Sequence, residues 1–166
     1  MIPKILTKIL RRLYYSSIYL VLNLPIFFKD FKMKDTESKR DELPAAETLS
    51  IRVIAMPGDT NPNGDMFGGW LLSLMDMAAG NVAAERAQGR VVTVAIDAIA
   101  FLRPVLVGDE VSCYAEILES GNSSMKIDVQ AWARRRESHE PHKVTEGVFT
   151  FVAIGPDRRP RQLPKR

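Results

Sequence analysis

The sequence predicts an α+β domain in which an antiparallel β-sheet wraps around one central α-helix. Apolar residues recur at helical spacing in one segment, residues 68–88. One strand-like segment precedes this helix and four follow it, which excludes a repeating βαβ pattern. Short connections between the later strands favour an antiparallel meander.

The predicted elements follow one another without an internal repeat. Residues 47–56 alternate apolar and polar positions, as a strand does, and a Gly- and Asn-rich loop at 57–65 follows. The pair Gly68-Gly69 opens the helix and Gly89 closes it. Apolar and small residues are so frequent in this helix that we expect it to be largely buried. Four strands, at 91–102, 111–120, 125–133 and 144–154, complete the domain, and we expect a loosely ordered tail from Pro156.

Positive charge is concentrated in an N-terminal arm, residues 1–43, which holds nine Lys or Arg and five Asp or Glu. The body, residues 44–166, holds fourteen Lys or Arg and fifteen Asp or Glu. Such a near-neutral body lacks the basic face that a nucleic-acid-binding protein needs. Its single cysteine excludes an intramolecular disulfide and fits a reducing compartment, so we expect a cytoplasmic domain.

The arm contains an uncharged run at 13–28, and two interpretations of it stay open. It is a membrane-associated segment or signal peptide, or it is not translated because the start codon lies at Met33. As a helix the run would span about 24 Å, less than the roughly 30 Å core of a bilayer. No small-residue cleavage site follows it. Contact with a membrane through residues 1–28 is therefore the weaker interpretation.

Several common chemistries have no motif in this sequence. It contains no G-x-S-x-G nucleophile elbow, no Walker-type phosphate loop and no G-x-G-x-x-G. His139 and His142 fall in a predicted loop with no other His or Cys nearby, so we expect no metal site there. Cys113 lies in phase with buried strand positions, which favours a small buried hydrophobic residue over a nucleophile.

Asp76 is the unusual residue of the helix, because it lies mid-helix between two methionines. Helix interiors disfavour Asp, and burying a carboxylate is costly unless it is hydrogen-bonded. Asp76 either bonds neighbouring backbone or holds a water for attack on a substrate. At the start of the same helix, Gly68 and Gly69 leave free N–H groups that a substrate carbonyl could approach, as an oxyanion hole requires.

Residues 54–80, which include the run from Asn61 to Trp70 and Asp76, resemble the signature of the YciA-type acyl-CoA thioesterases. Residues 89–94, 101–105, 107–109 and 144–146 resemble it too, and the similarity covers roughly residues 47–164. This resemblance implies a hotdog fold, an antiparallel sheet around a central helix, in agreement with the fold class predicted above.

The resemblance also implies an activity, the hydrolysis of acyl-CoA to a free fatty acid and coenzyme A. Asp76 matches the catalytic carboxylate, as general base on water or as nucleophile, and Asn61 matches a polar partner that orients water or substrate. Gly68 or Gly69 would polarise the thioester carbonyl. Hotdog sites form at dimer interfaces, so Asp76 and Asn61 would act across subunits of a homo-oligomer, dimers assembled into hexamers. Asn61 as a plain turn residue is the alternative.

No cofactor is implied, because coenzyme A is part of the substrate and the product. A thiolate leaves readily near neutral pH, so a base and an oxyanion site suffice for a thioester. The phosphates of coenzyme A call for cations. Candidates for binding this moiety are Arg90, Arg103, Lys126, Ser123 and Ser124. The alternative for each is a solvated position at a strand end.

Two other functions fit the same predicted fold. The first is a hotdog hydratase or dehydratase acting on acyl thioesters, but no histidine falls in the core pattern. The second is a non-catalytic acyl-CoA sensor, which would need an effector module. Residues 1–43 contain no helix-turn-helix pattern.

Overall fold

The computed structural model describes residues 42–165, in which one α-helix packs against a five-stranded sheet. The elements in chain order are β1 (Leu49–Ile54), α1 (Gly68–Ala87), β2 (Val91–Phe101), β3 (Glu110–Ser120), β4 (Ser124–Arg134) and β5 (Pro141–Ala153). This arrangement confirms the predicted fold class. The predicted N-terminal arm lies outside the described residues, except for its last two. Within residues 42–165, no helix is both long and apolar enough to cross a membrane.

The sheet is antiparallel throughout, in the order β1-β3-β4-β5-β2. Strands β3, β4 and β5 form the predicted meander, but the meander is wrong for β2, which pairs with β5 at the opposite edge. The reason is the helix between β1 and β2. It packs across all five strands and carries the chain from one edge of the sheet to the other.

The core lies between α1 and the inner face of the sheet. Leu71, Leu74 and Met75 of the helix meet Ile127 and Phe149 of the sheet, and all five are buried. Small residues farther along the buried side of the helix, Ala78, Ala79 and Ala83, let it approach the strands closely. Truncating a fully buried aromatic such as Phe149 costs about 3–5 kcal/mol of folding free energy.

The C-terminal end of α1 is closed by its backbone and by the tail. Gln88 adopts the left-handed conformation with φ 47°, and the N–H of Gly89 donates to the carbonyl of Ala84. Gly89 itself has φ 154°, and a Cβ there would lie 2.8 Å from Nη2 of Arg161. This nitrogen donates to the carbonyl of Ala87 at 2.6 Å, so a cation meets the negative end of the helix dipole.

The expectation of a loosely ordered tail is wrong. The N–H of Arg161 donates to the carbonyl of Ala153, and the N–H of Leu163 donates to the carbonyl of Asn122. The side chain of Leu163 also packs against the core cluster. The tail is held because its backbone hydrogen-bonds to the last residue of β5 and to the turn between β3 and β4, which composition alone does not show.

The predicted loop that holds both histidines is shorter than expected. β5 begins at Pro141, so His142 lies in a strand, opposite Ala133 of β4, because the hairpin continues pairing beyond the predicted strand. His139 remains in the loop. Burial, and then the positive charges of Arg135 and Arg103, hold the pKa of His142 below its usual range. Among residues 42–165, no three His, Cys, Asp or Glu side chains cluster as metal ligands would.

Cys113 is completely buried on the inner face of β3, as predicted, and burial raises the pKa of its thiol to about 12. We therefore expect the native protein not to react with an aromatic disulfide reagent at pH 8, whereas the denatured chain should react with one equivalent. Rapid labelling of the native protein would contradict this. A slow native reaction would also keep thiol-release assays free of background from the enzyme.

Candidate active site

The carboxylate of Asp76 is held by the sheet and not by its own helix. Its side chain is half-buried, and Oδ1 accepts a hydrogen bond of 2.7 Å from Oγ1 of Thr93 on β2. Within the described part of the chain, Oδ2 accepts no hydrogen bond. One oxygen therefore fixes the carboxylate, while the other is available to a water molecule.

Sequence reasoning missed Thr93. It lies in the segment 89–94 that resembles the thioesterase signature, but the sequence itself indicates no role for it. Its position on β2 is exposed, in a strand of mostly apolar residues. A hydroxyl in such a strand is a weak signal, because contact with Asp76 depends on how the helix crosses the sheet.

The start of α1 presents free backbone donors. The first backbone hydrogen bond of the helix runs from the N–H of Leu71 to the carbonyl of Phe67 at 3.3 Å, and no side chain caps this end. In residues 42–165, the N–H groups of Gly68, Gly69 and Trp70 find no acceptor. A Cβ on Gly69 would meet no atom within 4 Å, so the space beside this residue is open. Developing negative charge is favoured at such a helix end.

One chain does not bring the glycine end and Asp76 together. Gly68 and Asp76 are eight residues apart in one helix, which separates them by about 12 Å along its axis. A base and an oxyanion donor must both lie within about 3 Å of the reacting groups. Within one chain, the two features are therefore too far apart to act on the same reacting group.

Asn61 belongs to the loop that precedes α1, on the glycine side. Its Oδ1 accepts hydrogen bonds from the N–H groups of Asn63 at 2.9 Å and Asp65 at 3.2 Å, the pattern of a turn residue. These contacts fix the side chain. Its amide nitrogen has no acceptor within residues 42–165, so Asn61 presents a hydrogen-bond donor to its surroundings.

The five candidate residues for coenzyme A lie at two opposite ends of the sheet. Arg103 follows β2 near the glycine end of α1, and its Nη1 donates to the carbonyl of Lys143 at 3.0 Å. Arg90, Ser123 and Ser124 lie at the other end, where the carbonyls of Arg90 and Ser123 accept hydrogen bonds from β5 and the residue after it. Within one chain, Arg103 is therefore not grouped with the others.

Lys126 lies near Ser124 on β4 and is already paired. Its Nζ is 3.3 Å from Oε2 of Glu119, and both side chains are more than half exposed. An exposed pair of this kind is worth little to stability, so Lys126 can exchange its partner for a phosphate at small cost.

The fold, a five-stranded antiparallel sheet around one helix, agrees with the thioesterase class. The family model of the thioesterase superfamily matches residues 63–138. An uncharacterized acyl-CoA thioester hydrolase of Zymomonas mobilis is 57% identical over 121 residues, 73% of this chain and 80% of that protein. The acyl-CoA thioester hydrolase YciA of Escherichia coli is 47% identical over 119 residues, 70% of this chain and 90% of that protein.

A solved structure agrees. The hexameric thioesterase y2039 from Yersinia pestis matches with a TM-score of 0.71 at 48% identity, over 74% of this chain and 100% of that chain. The present chain belongs to the thioesterase superfamily and, within it, to the YciA family of acyl-CoA thioester hydrolases.

Proposed function

We propose that this protein hydrolyses acyl-CoA thioesters to a carboxylic acid and coenzyme A, with Asp76 as the general base. The observation that carries the proposal is the half-buried carboxylate of Asp76, fixed at Oδ1 by Thr93 and open at Oδ2. Family membership supports the substrate class, because the named relatives are acyl-CoA thioester hydrolases.

The chemistry follows from these groups. Oδ2 of Asp76 accepts a proton from water as the water oxygen attacks the thioester carbon. The N–H groups of Gly68 and Gly69 stabilise the negative charge that develops on the carbonyl oxygen. The tetrahedral intermediate then collapses, the C–S bond breaks, and coenzyme A leaves as a thiolate that takes up the proton held by Asp76, which restores the carboxylate. Coenzyme A thus enters as substrate and leaves as product, and these steps involve no resident cofactor.

The separation of about 12 Å between the two halves of the site supports an assembly in which two copies share each site. We propose that the second copy adds to β2, an edge strand of 11 residues. Val92, Val94 and Ile96 along it are 39%, 56% and 42% exposed. Monomeric proteins protect long apolar edges, so this one fits an interface. Asn61 and the glycine end of one copy would then face Asp76 of the other copy. Three such dimers would assemble into a hexamer.

The same pairing accounts for the two groups of coenzyme A candidates. We propose that antiparallel pairing of two β2 strands brings Arg103 of one copy toward the end of the partner sheet that carries Arg90, Ser123, Ser124 and Lys126. A phosphate-bearing substrate would then lie between two chains, with cations from both.

The proposal is tested by release of free thiol from acetyl-, butyryl- and palmitoyl-CoA, measured with a thiol reagent. Turnover of at least one of these is expected. Tight binding of coenzyme A without thiol release from any of them would indicate an acyl-CoA sensor instead. Hydration of an enoyl-CoA without thiol release would indicate a hydratase.

Replacement of Thr93 by Val is expected to lower kcat about 10- to 100-fold with little change in KM. The substitution removes the hydrogen bond that orients Asp76. A hydrogen bond to a charged group contributes about 1.5–3 kcal/mol, which corresponds to a rate change of this size. Thr93→Ser keeps the hydroxyl and should retain most of the activity. If Val and Ser variants lose activity equally, the methyl group matters and the hydroxyl does not position Asp76.

A further inference from the structure

An apolar cavity of about 380 Å³ opens beside the glycine end of α1. Gly68 and Leu71 of the helix form one wall, and Phe101 and Val105 from the segment after β2 form another. Arg103 is the single charged residue among those that line it. The volume falls within the range of small-molecule pockets.

Gly68 belongs both to the lining of this cavity and to the proposed oxyanion site. It lines the cavity and also contributes one of the free N–H groups at the helix start. A thioester whose carbonyl oxygen accepts from this end of the helix has one of its two substituents directed along the cavity wall. The occupant is therefore either the acyl chain or the pantetheine arm of the substrate.

The lining favours the acyl chain. The amide groups of a pantetheine arm need hydrogen-bond partners when they are buried. The backbone N–H groups of the lining residues Met66 and Phe67 already donate to the carbonyls of Val105 and Asp59, and those of Leu102 and Arg103 donate to the carbonyl of Val144. The free N–H of Gly68 is assigned to the thioester carbonyl. An alkyl chain needs no such partners and gains from burial against Leu71, Phe101 and Val105.

Phe101 limits the room beside Gly68. A Cβ placed on Gly68 would lie 3.2 Å from Cζ of the Phe101 ring, so the ring occupies the space that a side chain would fill. In a single chain the Phe101 side chain is nevertheless 55% exposed, at the last residue of β2. The ring therefore packs beside Gly68 on one side and borders the cavity with a side that is accessible in a single chain.

We propose that this cavity receives the acyl chain and that Phe101 determines the chain length accepted. This inference rests on the proposed function, since it assigns the acyl half of the same substrate. It predicts that a smaller residue at position 101 favours longer chains and that a larger one favours shorter chains.

The test measures kcat/KM for acyl-CoA substrates from acetyl to palmitoyl with wild type, Phe101→Ala and Phe101→Trp. Each buried methylene is worth about fourfold in kcat/KM, so accommodating two more changes the ratio of long- to short-chain substrates about 15-fold. We expect the ratio to rise about 15-fold in the Ala variant and to fall by a similar factor in the Trp variant. Leu118→Ala is the matched control, because Leu118 is 59% exposed and lies away from the cavity.

Binding of non-hydrolysable alkyl thioethers of coenzyme A separates this inference from the proposed function. Affinity should rise with alkyl length in wild type, and the longest tolerated alkyl group should change in the two variants. If wild type releases no thiol, the proposed function fails, and this binding series still decides what occupies the cavity.

Three results would overturn the inference while thiol release by wild type upholds the proposed function. The first is a chain-length profile that stays within twofold of wild type in both variants. The second is an equal loss for every chain length, which would mean that Phe101 only supports Gly68. The third is a changed oligomeric mass with an unchanged profile, which would mean that a second copy of the chain covers the cavity.

Discussion

Asp76→Asn is expected to lower kcat for acyl-CoA hydrolysis by about 10³-fold, within the range of losses for a general base. The amide cannot take a proton from water, but its oxygen still accepts the hydrogen bond from Thr93. The fold should therefore be preserved, with an unchanged circular dichroism spectrum and little change in KM. Steady-state thiol release measures the effect.

Asp128→Asn is the matched control. Asp128 is also half-buried, and it accepts one side-chain hydrogen bond, from Nε2 of Gln130 at 3.1 Å. It lies on β4, and this variant should keep nearly full activity. If Asp76→Asn retains more than a tenth of wild-type kcat, the role assigned to this carboxylate is wrong.

Val94→Asp is expected to dissociate the assembly and to abolish most thiol release at the same time. Val94 lies on the β2 edge strand, and its side chain is 56% exposed in a single chain. In the proposed assembly a carboxylate there would lie without a partner among the apolar side chains of two adjoining β2 strands, which is strongly unfavourable. The isolated chain would then hold both halves of the site about 12 Å apart, with nothing to complete either.

Light scattering coupled to size-exclusion chromatography should show a mass near 18.6 kDa for this variant and a multiple of it for wild type. Val107→Asp makes the same chemical change at a residue that is 45% exposed in the turn before β3, and it should leave mass and activity unaltered. A Val94→Asp monomer with full turnover would show that one chain contains a complete site.

Much of the fold was predictable because burial imposes local periodicity. The helix begins at Gly68 and ends beside Gly89 as predicted, since backbone and capping rules act over a few residues. The placement of β2 beside β5 was not predictable in this way. It depends on where α1 delivers the chain, and strand periodicity carries no information on which strand is the neighbour.

The candidate site was predictable in its parts and not in its arrangement. Asp76 stands out because a carboxylate is rare within an apolar helix. Thr93 does not stand out, because its hydroxyl has a role only through its hydrogen bond to Asp76, which is 17 residues away in the chain. The division of the coenzyme A candidates between two sheet ends was also hidden, since it depends on the register of long strands.

The bonds that residues 161–163 make to Ala87, Ala153 and Asn122 extend the cooperative folding unit about ten residues beyond the last strand. A truncation or a chimera junction at Ile154 would therefore remove Arg161, the cation that binds the C-terminal end of the helix. Fusion partners are better joined after Pro164, where the backbone has completed these bonds.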